Sequence, residues 1–180
     1  MSRAKGLLTV TVVRGSDLPK MDFLGSTDPF VQLTLAETAI VKEPQQAKTQ
    51  VADDGKNPVW NEKVPFTGIM GGEVVKLEVY DEDSVGKADL VGTADLKVPT
   101  DRLDSEQLID EWINVTSPKG EPAGKLFIIL HYIPITVLEH LQKKFNKQTA
   151  DAKGKMVSFV VNKVTDYASA QIKGAVAVEP

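Results

Sequence analysis

The feature that most constrains this chain is a repeated alternation of short apolar stretches with turn-forming residues over its first 134 residues. The separators are clusters of glycine, proline, asparagine and aspartate, as in 53–58 and 117–120. Short strands at this spacing are typical of antiparallel sheets, because parallel strands need a long crossover between them. The sequence therefore predicts an all-β, eight-stranded antiparallel β-sandwich. The expected strands lie at about 6–14, 29–36, 47–52, 60–66, 73–81, 89–97, 111–115 and 124–132.

One short helix interrupts this prediction. Asp104 can cap a helix near 103–109, since Gln107 follows three residues later in the spacing of a capping box.

The hydrophobic period changes after Pro134. Apolar side chains then recur at helical spacing, with lysines on a different arc of the same helix. The apolar positions are Val137, Leu138, Leu141 and Phe145, and the lysines are Lys143, Lys144 and Lys147. A second helical pattern covers 157–175, although its valines are also compatible with a strand. We expect residues 1–134 to form the sandwich domain and residues 135–180 a basic, amphipathic, helical extension.

Charge and cysteine content exclude several functions. The chain has no cysteine, which excludes disulfides, thiol nucleophiles and Cys-ligated zinc. The formal net charge is −4, and positive charge exceeds negative charge in the extension. An acidic body of this kind does not favour a nucleic-acid partner, because neutralising phosphates needs a basic surface.

The first residues do not read as a targeting segment. Leu8, Val10 and Val12 alternate with threonines, which is typical of a strand, and no cleavage site follows. No apolar run approaches the ~20 residues that would span a bilayer. The default expectation is therefore a cytoplasmic protein.

Aspartates cluster where two loops would meet strand ends. Asp22 and Asp28 flank the first loop, and Asp81, Asp83 and Asp89 flank a second loop between the fifth and sixth strands. Two such charges about 4 Å apart repel by ~4 kcal/mol at an effective dielectric of about 20. Calcium relieves this repulsion, since it accepts six to eight oxygens in irregular geometry. Five carboxylates exceed the need of one ion, so two calcium ions are expected.

Three alternatives remain beside this calcium site. A solvated acidic surface needs no ligand. An EF-hand beginning at Asp81 is rejected, because its fifth position is Val85 and its twelfth is Gly92. An aspartate-nucleophile phosphatase would use Asp81 as the nucleophile and Asp83 as the acid/base, but that chemistry sits on a parallel sheet alternating with helices. We expect no enzyme.

Three stretches carry a more specific pattern. The first runs from Leu7 through Gly15, Leu18-Pro19 and Asp22 to Asp28-Pro29-Phe30. The second is Lys48-Thr49 followed by Asn57-Pro58-Val59-Trp60-Asn61-Glu62. The third is Leu77-Glu78-Val79-Tyr80-Asp81-Glu82-Asp83 followed by Asp89-Leu90-Val91-Gly92. Over about residues 5–133 these stretches together resemble the C2 domain, a calcium-dependent phospholipid-binding β-sandwich. The ending at 124–132 resembles the type II topology, in which the permuted strand comes last.

The resemblance implies a set of calcium ligands. They are the side chains of Asp22, Asp28, Asp81, Asp83 and Asp89, with the backbone carbonyls of Glu82 and Met21. Gly86 stands where some members carry a serine ligand, so a third ion is not expected.

The loop tips carry residues suited to a membrane. Phe23 and Leu24 follow Asp22, and Val85 and Lys87 lie between Asp83 and Asp89. We expect these four to contact an anionic phospholipid membrane, to which the protein is recruited when calcium rises. Trp60 is expected in the core instead. An alternative function is a protein-interaction adaptor, with a protein partner held by the extension.

Overall fold

The described part of the chain is built from strands. A computed structural model describes residues 6–21, 27–39, 41–53, 55–82, 86–100 and 107–134. These residues form eight strands, β1 (Gly6–Ser16), β2 (Pro29–Leu35), β3 (Gln45–Lys48), β4 (Val59–Ile69), β5 (Val74–Asp81), β6 (Asp89–Lys97), β7 (Gln107–Thr116) and β8 (Pro122–Pro134). Neighbouring strands pair in antiparallel fashion in the order β3-β2-β5-β6-β7-β8-β1-β4. The predicted eight-stranded antiparallel sandwich is confirmed.

The sheet divides into two layers between β6 and β7. The ladder between these strands consists of the pair Thr93 and Thr116, whereas β7 and β8 pair along most of their length. One layer is therefore β3-β2-β5-β6 and the other is β4-β1-β8-β7. Gly92 lies at the join, where a Cβ atom would come within 2.7 Å of the Thr116 carbonyl oxygen. This close approach requires glycine.

Alternation along the strands builds the core between the layers. In β5 the buried positions are Val75, Leu77 and Val79, and the positions between them are exposed or half-buried. Trp60 from β4 belongs to the same core, as the sequence predicts. The last strand, β8, lies between β7 and β1, so the end of the domain pairs with its beginning. This arrangement agrees with the type II topology.

The predicted helix near 103–109 is wrong where the structure can test it. Gln107, Leu108 and Ile109 belong to β7 and pair with residues 130–132 of β8. A long neighbouring strand offers this segment a continuous ladder, which outweighs the local capping signal. Residues 101–106 lie outside the described residues. Strand β3 begins two residues earlier and ends four residues earlier than predicted.

The extension at 135–180 and its predicted helices lie outside the described residues. Within the part of the chain that the structure describes, we find no helix long and apolar enough to cross a membrane.

Tyr132 gives the fold a dependence on alkaline pH. Its ring is buried against Gly6, where any Cβ atom would overlap it. Burial, with a smaller contribution from the charge of Glu73, raises the pKa of Tyr132 to about 12. The unfolded tyrosine loses its proton near pH 10, so the free energy of unfolding falls as pH rises from about 10 towards 12.

The variant Tyr132→Phe is expected to lack this component. Between about pH 9 and 11.5, wild-type stability should fall by about 2 kcal/mol more than that of the variant, as measured by urea unfolding. Parallel pH profiles of the two proteins would contradict this account of Tyr132.

Candidate functional site

Strand register brings three of the five predicted aspartates to one end of the sandwich. Asp81 ends β5 and pairs with Pro29 at the start of β2 on one side. On the other side it pairs with Asp89 at the start of β6. Asp28 immediately precedes Pro29. Residues directly opposite each other in an antiparallel pair project to the same face, with Cβ atoms about 5 Å apart. We call Asp28, Asp81 and Asp89 the acidic row.

Two hydrogen bonds fix the loop ends of this row. The Asp28 N–H donates to Asp81 Oδ1 at 2.7 Å. The Glu82 N–H donates to the Asp28 carbonyl oxygen at 3.0 Å. The beginning of β2 and the end of β5 are thereby held together although they are 53 residues apart in sequence.

The three carboxylates differ in exposure. Asp81 is 2 % exposed, Asp28 is half-buried and Asp89 is exposed. Removing a carboxylate from water is costly unless it is compensated by hydrogen bonds, by a positive charge or by a metal. The hydrogen bond from Asp28 compensates part of that cost. Hard carboxylate oxygens at the edge of water are the donors that calcium prefers, so the residues present fit this ion.

Further interactions support the row from behind. The Trp60 Nε1–H donates to the Pro29 carbonyl oxygen at 3.0 Å, and the Ala52 N–H donates to the same oxygen. Thr27 is buried, and its hydroxyl accepts the Met21 N–H at 3.2 Å. The sequence analysis assigned Trp60 to the core but missed its bond to Pro29, and it missed Thr27 altogether. No periodic signal marks either contact, because both join residues across loops.

The remaining predicted site residues divide into two groups. Met21, Glu82 and Lys87 are described and exposed. Asp22, Phe23, Leu24, Asp83 and Val85 lie outside the described residues. Among the residues that are described, no three or more His, Cys, Asp or Glu side chains are grouped closely enough to hold a metal ion. The acidic row therefore stands on register and hydrogen bonding, and the full ligand set stays a prediction.

A cleft adjoins the row through Thr27. Its volume is about 680 Å³, and two lysines contribute to its walls. The lining residues are Asp17, Leu18, Pro19, Lys20, Thr27, Gly55 and Lys56. Positive side chains thus lie at the same end of the sandwich as the acidic row.

Fold and site together define a class: a type II β-sandwich domain with acidic loops at one end. A family model described as the C2 domain matches residues 6–115. The match covers more than half of the chain, and the chain belongs to the C2 domain family.

Curated relatives include synaptotagmins. The chain is 36 % identical over 131 residues to Synaptotagmin-4 of Arabidopsis thaliana, covering 72 % of this chain and 21 % of that protein. It is 32 % identical over 139 residues to Synaptotagmin-1 of Aplysia californica, covering 72 % of this chain and 31 % of that protein. The chain thus spans less than a third of the length of these two relatives.

Solved structures show the same fold. The first C2 domain of plant Extended Synaptotagmin 1 superposes with a TM-score of 0.62 at 29 % identity, covering 73 % of this chain and 97 % of that one. Human GIVD cytosolic phospholipase A2 superposes with a TM-score of 0.59 at 27 % identity, covering 74 % of this chain and 17 % of that one. The likeness to the phospholipase is therefore restricted to a small part of the enzyme. Homology to synaptotagmins is consistent with a membrane-targeting or signalling module.

Proposed function

We propose that this protein binds anionic phospholipid membranes in a calcium-dependent manner. The observation that supports the proposal most is the acidic row, where register and a 2.7 Å hydrogen bond bring Asp28, Asp81 and Asp89 together. The proposed ligand set adds the side chains of Asp22 and Asp83 and the carbonyl groups of Glu82 and Met21. This set suits two calcium ions. Residues 1–134 are the proposed boundaries of the binding domain.

The proposed mechanism is an electrostatic switch. The cytoplasmic leaflet has a surface potential of about −30 mV, and each charge near it contributes about 1 kcal/mol. Without metal, the carboxylates of the row are repelled from such a surface. Calcium supplies positive charge and coordination positions for lipid oxygens. The chain contributes a row already held by backbone hydrogen bonds, so the switch needs little backbone motion.

Two further properties belong to this proposal. The domain works without catalysis, as a peripheral module for trafficking or signalling. It resides in the cytoplasm and moves to membrane surfaces when calcium rises. The proposal draws on the family and on the relatives, of which this chain matches only a part.

The direct test is co-sedimentation with vesicles. Full-length protein is mixed with phosphatidylserine-containing vesicles in calcium or in a chelator, and with phosphatidylcholine vesicles as the neutral control. We expect the protein in the pellet only when calcium and anionic lipid are both present. Equal pelleting in the chelator would contradict calcium dependence, and equal pelleting with neutral vesicles would contradict anionic-lipid dependence.

The proposed membrane contacts can be separated from the metal ligands. Phe23 and Leu24 neighbour Asp22 in sequence, and burying such side chains in the lipid interface contributes about 1.5–3 kcal/mol each when complete. Replacing both with serine should weaken vesicle binding roughly 10- to 100-fold, while calcium affinity without lipid stays nearly constant.

A matched control for this variant is Val74→Ser. Val74 is exposed at the start of β5, at the end of the sandwich opposite the acidic row. This change should leave vesicle binding unaltered. If serines at 23 and 24 do not weaken binding, these two residues do not contact lipid.

A further inference from the structure

Strand β1 is buried on both of its faces. Leu8, Val10 and Val12 point into the core between the layers. The residues between them, Thr9 and Thr11, point to the outer face of the β4-β1-β8-β7 layer, yet both are 0 % exposed. Antiparallel sheets of a sandwich ordinarily present this outer face to water.

The neighbouring strand β8 has the same property. Ile128 and Leu130 belong to the core, whereas Ile129, His131 and Ile133 alternate with core-side residues and are also buried. Thr9 pairs with His131, and Thr11 pairs with Ile129. We call these five outward residues, Thr9, Thr11, Ile129, His131 and Ile133, the outer strip. Ile129 and Ile133 do not belong to the core cluster.

The strip is bounded by exposed residues on both sides. Pro65 of β4, opposite Thr9, is exposed. Leu108 of β7, opposite His131, is 37 % exposed. Burial is therefore restricted to the centre of the layer. In addition, the hydroxyls of Thr9 and Thr11 are buried without a hydrogen-bond partner among the described residues. Such a strip requires a cover.

We propose that residues 135–180 fold back and dock on the outer strip. This segment begins one residue beyond Pro134, where β8 ends, and Ile133 is the first residue of the strip that it reaches. The other stretches outside the described residues are at most six residues long. Length and position therefore favour the C-terminal segment as the cover.

Dimensions and amphipathicity agree with this occupant. The strip extends over about 14 Å from Ile129 to Ile133, at 3.4 Å per residue. The apolar positions of the first helical pattern, from Val137 to Phe145, extend over about 12 Å at 1.5 Å per residue. One helix can thus place its apolar face on the strip and its lysines in water. The extension is then a structural layer of the domain, with its lysines added to the outer surface.

Thiol labelling tests the proposal in the full chain. Because the chain has no cysteine, Thr11→Cys introduces a single thiol in the outer strip. Thr67→Cys places the reference thiol at an exposed position of β4. We expect a maleimide reagent to label the first variant about 100-fold more slowly than the second, since labelling requires local opening. Equal labelling rates would overturn the proposal, because the strip would then be open.

A second set of variants identifies the cover. Adding Leu141→Asp and Phe145→Asp should raise the labelling rate of the Thr11→Cys protein at least about 10-fold by releasing the segment. Adding Lys143→Ser and Lys144→Ser instead should leave that rate unchanged. Labelling that stays slow after the aspartate changes, including slow labelling caused by a second copy, would overturn the assignment to residues 135–180.

A core thiol separates undocking from unfolding. Val12 is buried on the opposite face of β1. Val12→Cys should remain slow to label when Leu141 and Phe145 are changed, and this result supports release of the segment alone. If both thiols become equally fast, the segment does not dock as a separable layer, and the proposal is overturned.

Discussion

Asp81→Asn is expected to weaken calcium-dependent binding to phosphatidylserine vesicles by about 100-fold or more. Asp81 stands at the centre of the acidic row, paired with Pro29 on one side and Asp89 on the other. The substitution removes one negative charge from a hard-oxygen ligand set, and a 100-fold change corresponds to about 2.7 kcal/mol. The amide oxygen still accepts the Asp28 N–H, so the loop ends remain joined. The measurement is the calcium concentration that half-saturates vesicle co-sedimentation.

The matched control is Asp95→Asn. Asp95 is exposed on β6, six residues beyond Asp89 and away from the acidic row. It undergoes the same chemical change and should leave the calcium requirement within about twofold, as expected of surface substitutions. If Asp81→Asn binds as tightly as this control, the acidic row does not hold the metal.

Trp60→Ala is expected to lower the free energy of unfolding by about 3–5 kcal/mol. The substitution leaves a large cavity in the core. It also removes the Nε1–H bond to the Pro29 carbonyl oxygen, which lies directly behind the acidic row. The measurement is urea unfolding in the presence of a chelator, so that bound metal does not contribute.

The second tryptophan of the chain provides the control. Trp112 is 40 % exposed on β7, with its ring 5.1 Å from that of Phe127 and with Arg14 and Lys125 over its face. Exposed cation–π contacts contribute about 0.5–1 kcal/mol, so Trp112→Ala should lower stability by less than about 2 kcal/mol. Equal losses at the two positions would contradict the core role of Trp60.

Much of the fold can be predicted from alternation alone. Each of the eight predicted strands overlaps an observed one, and β6 has the predicted bounds. The error at β7 has a physical cause. Leu108 and Ile109 carry no strong period of their own, and β8 rather than local sequence extends them. Pairing between distant strands is not visible in a local pattern.

The acidic row could be predicted only in outline. Aspartates at strand ends are visible in the sequence, but the pairing of Asp81 with Asp89 depends on register after a shift between Val79 and Tyr80. The bond from the Asp28 N–H joins residues that no local rule connects. Asp22 and Asp83, which lie outside the described residues, stay predictions.

The outer strip had a sequence signal that the analysis did not use. From Leu126 to Ile133, nearly every residue of β8 is apolar, and such a continuous run indicates burial on both faces. Thr9 and Thr11 conceal the same property in β1, because threonines between apolar residues normally indicate a face in water.

Calorimetric titration of the full chain with calcium, with and without phosphatidylserine vesicles, tests the central claim most directly. The account predicts a heat of binding, about two ions per chain, and tighter calcium binding when vesicles are present. The last effect follows because a lipid that prefers the metal-loaded state must raise calcium affinity by the same factor. Absence of heat at millimolar calcium would contradict the metal site, and an affinity unchanged by vesicles would contradict its linkage to the membrane.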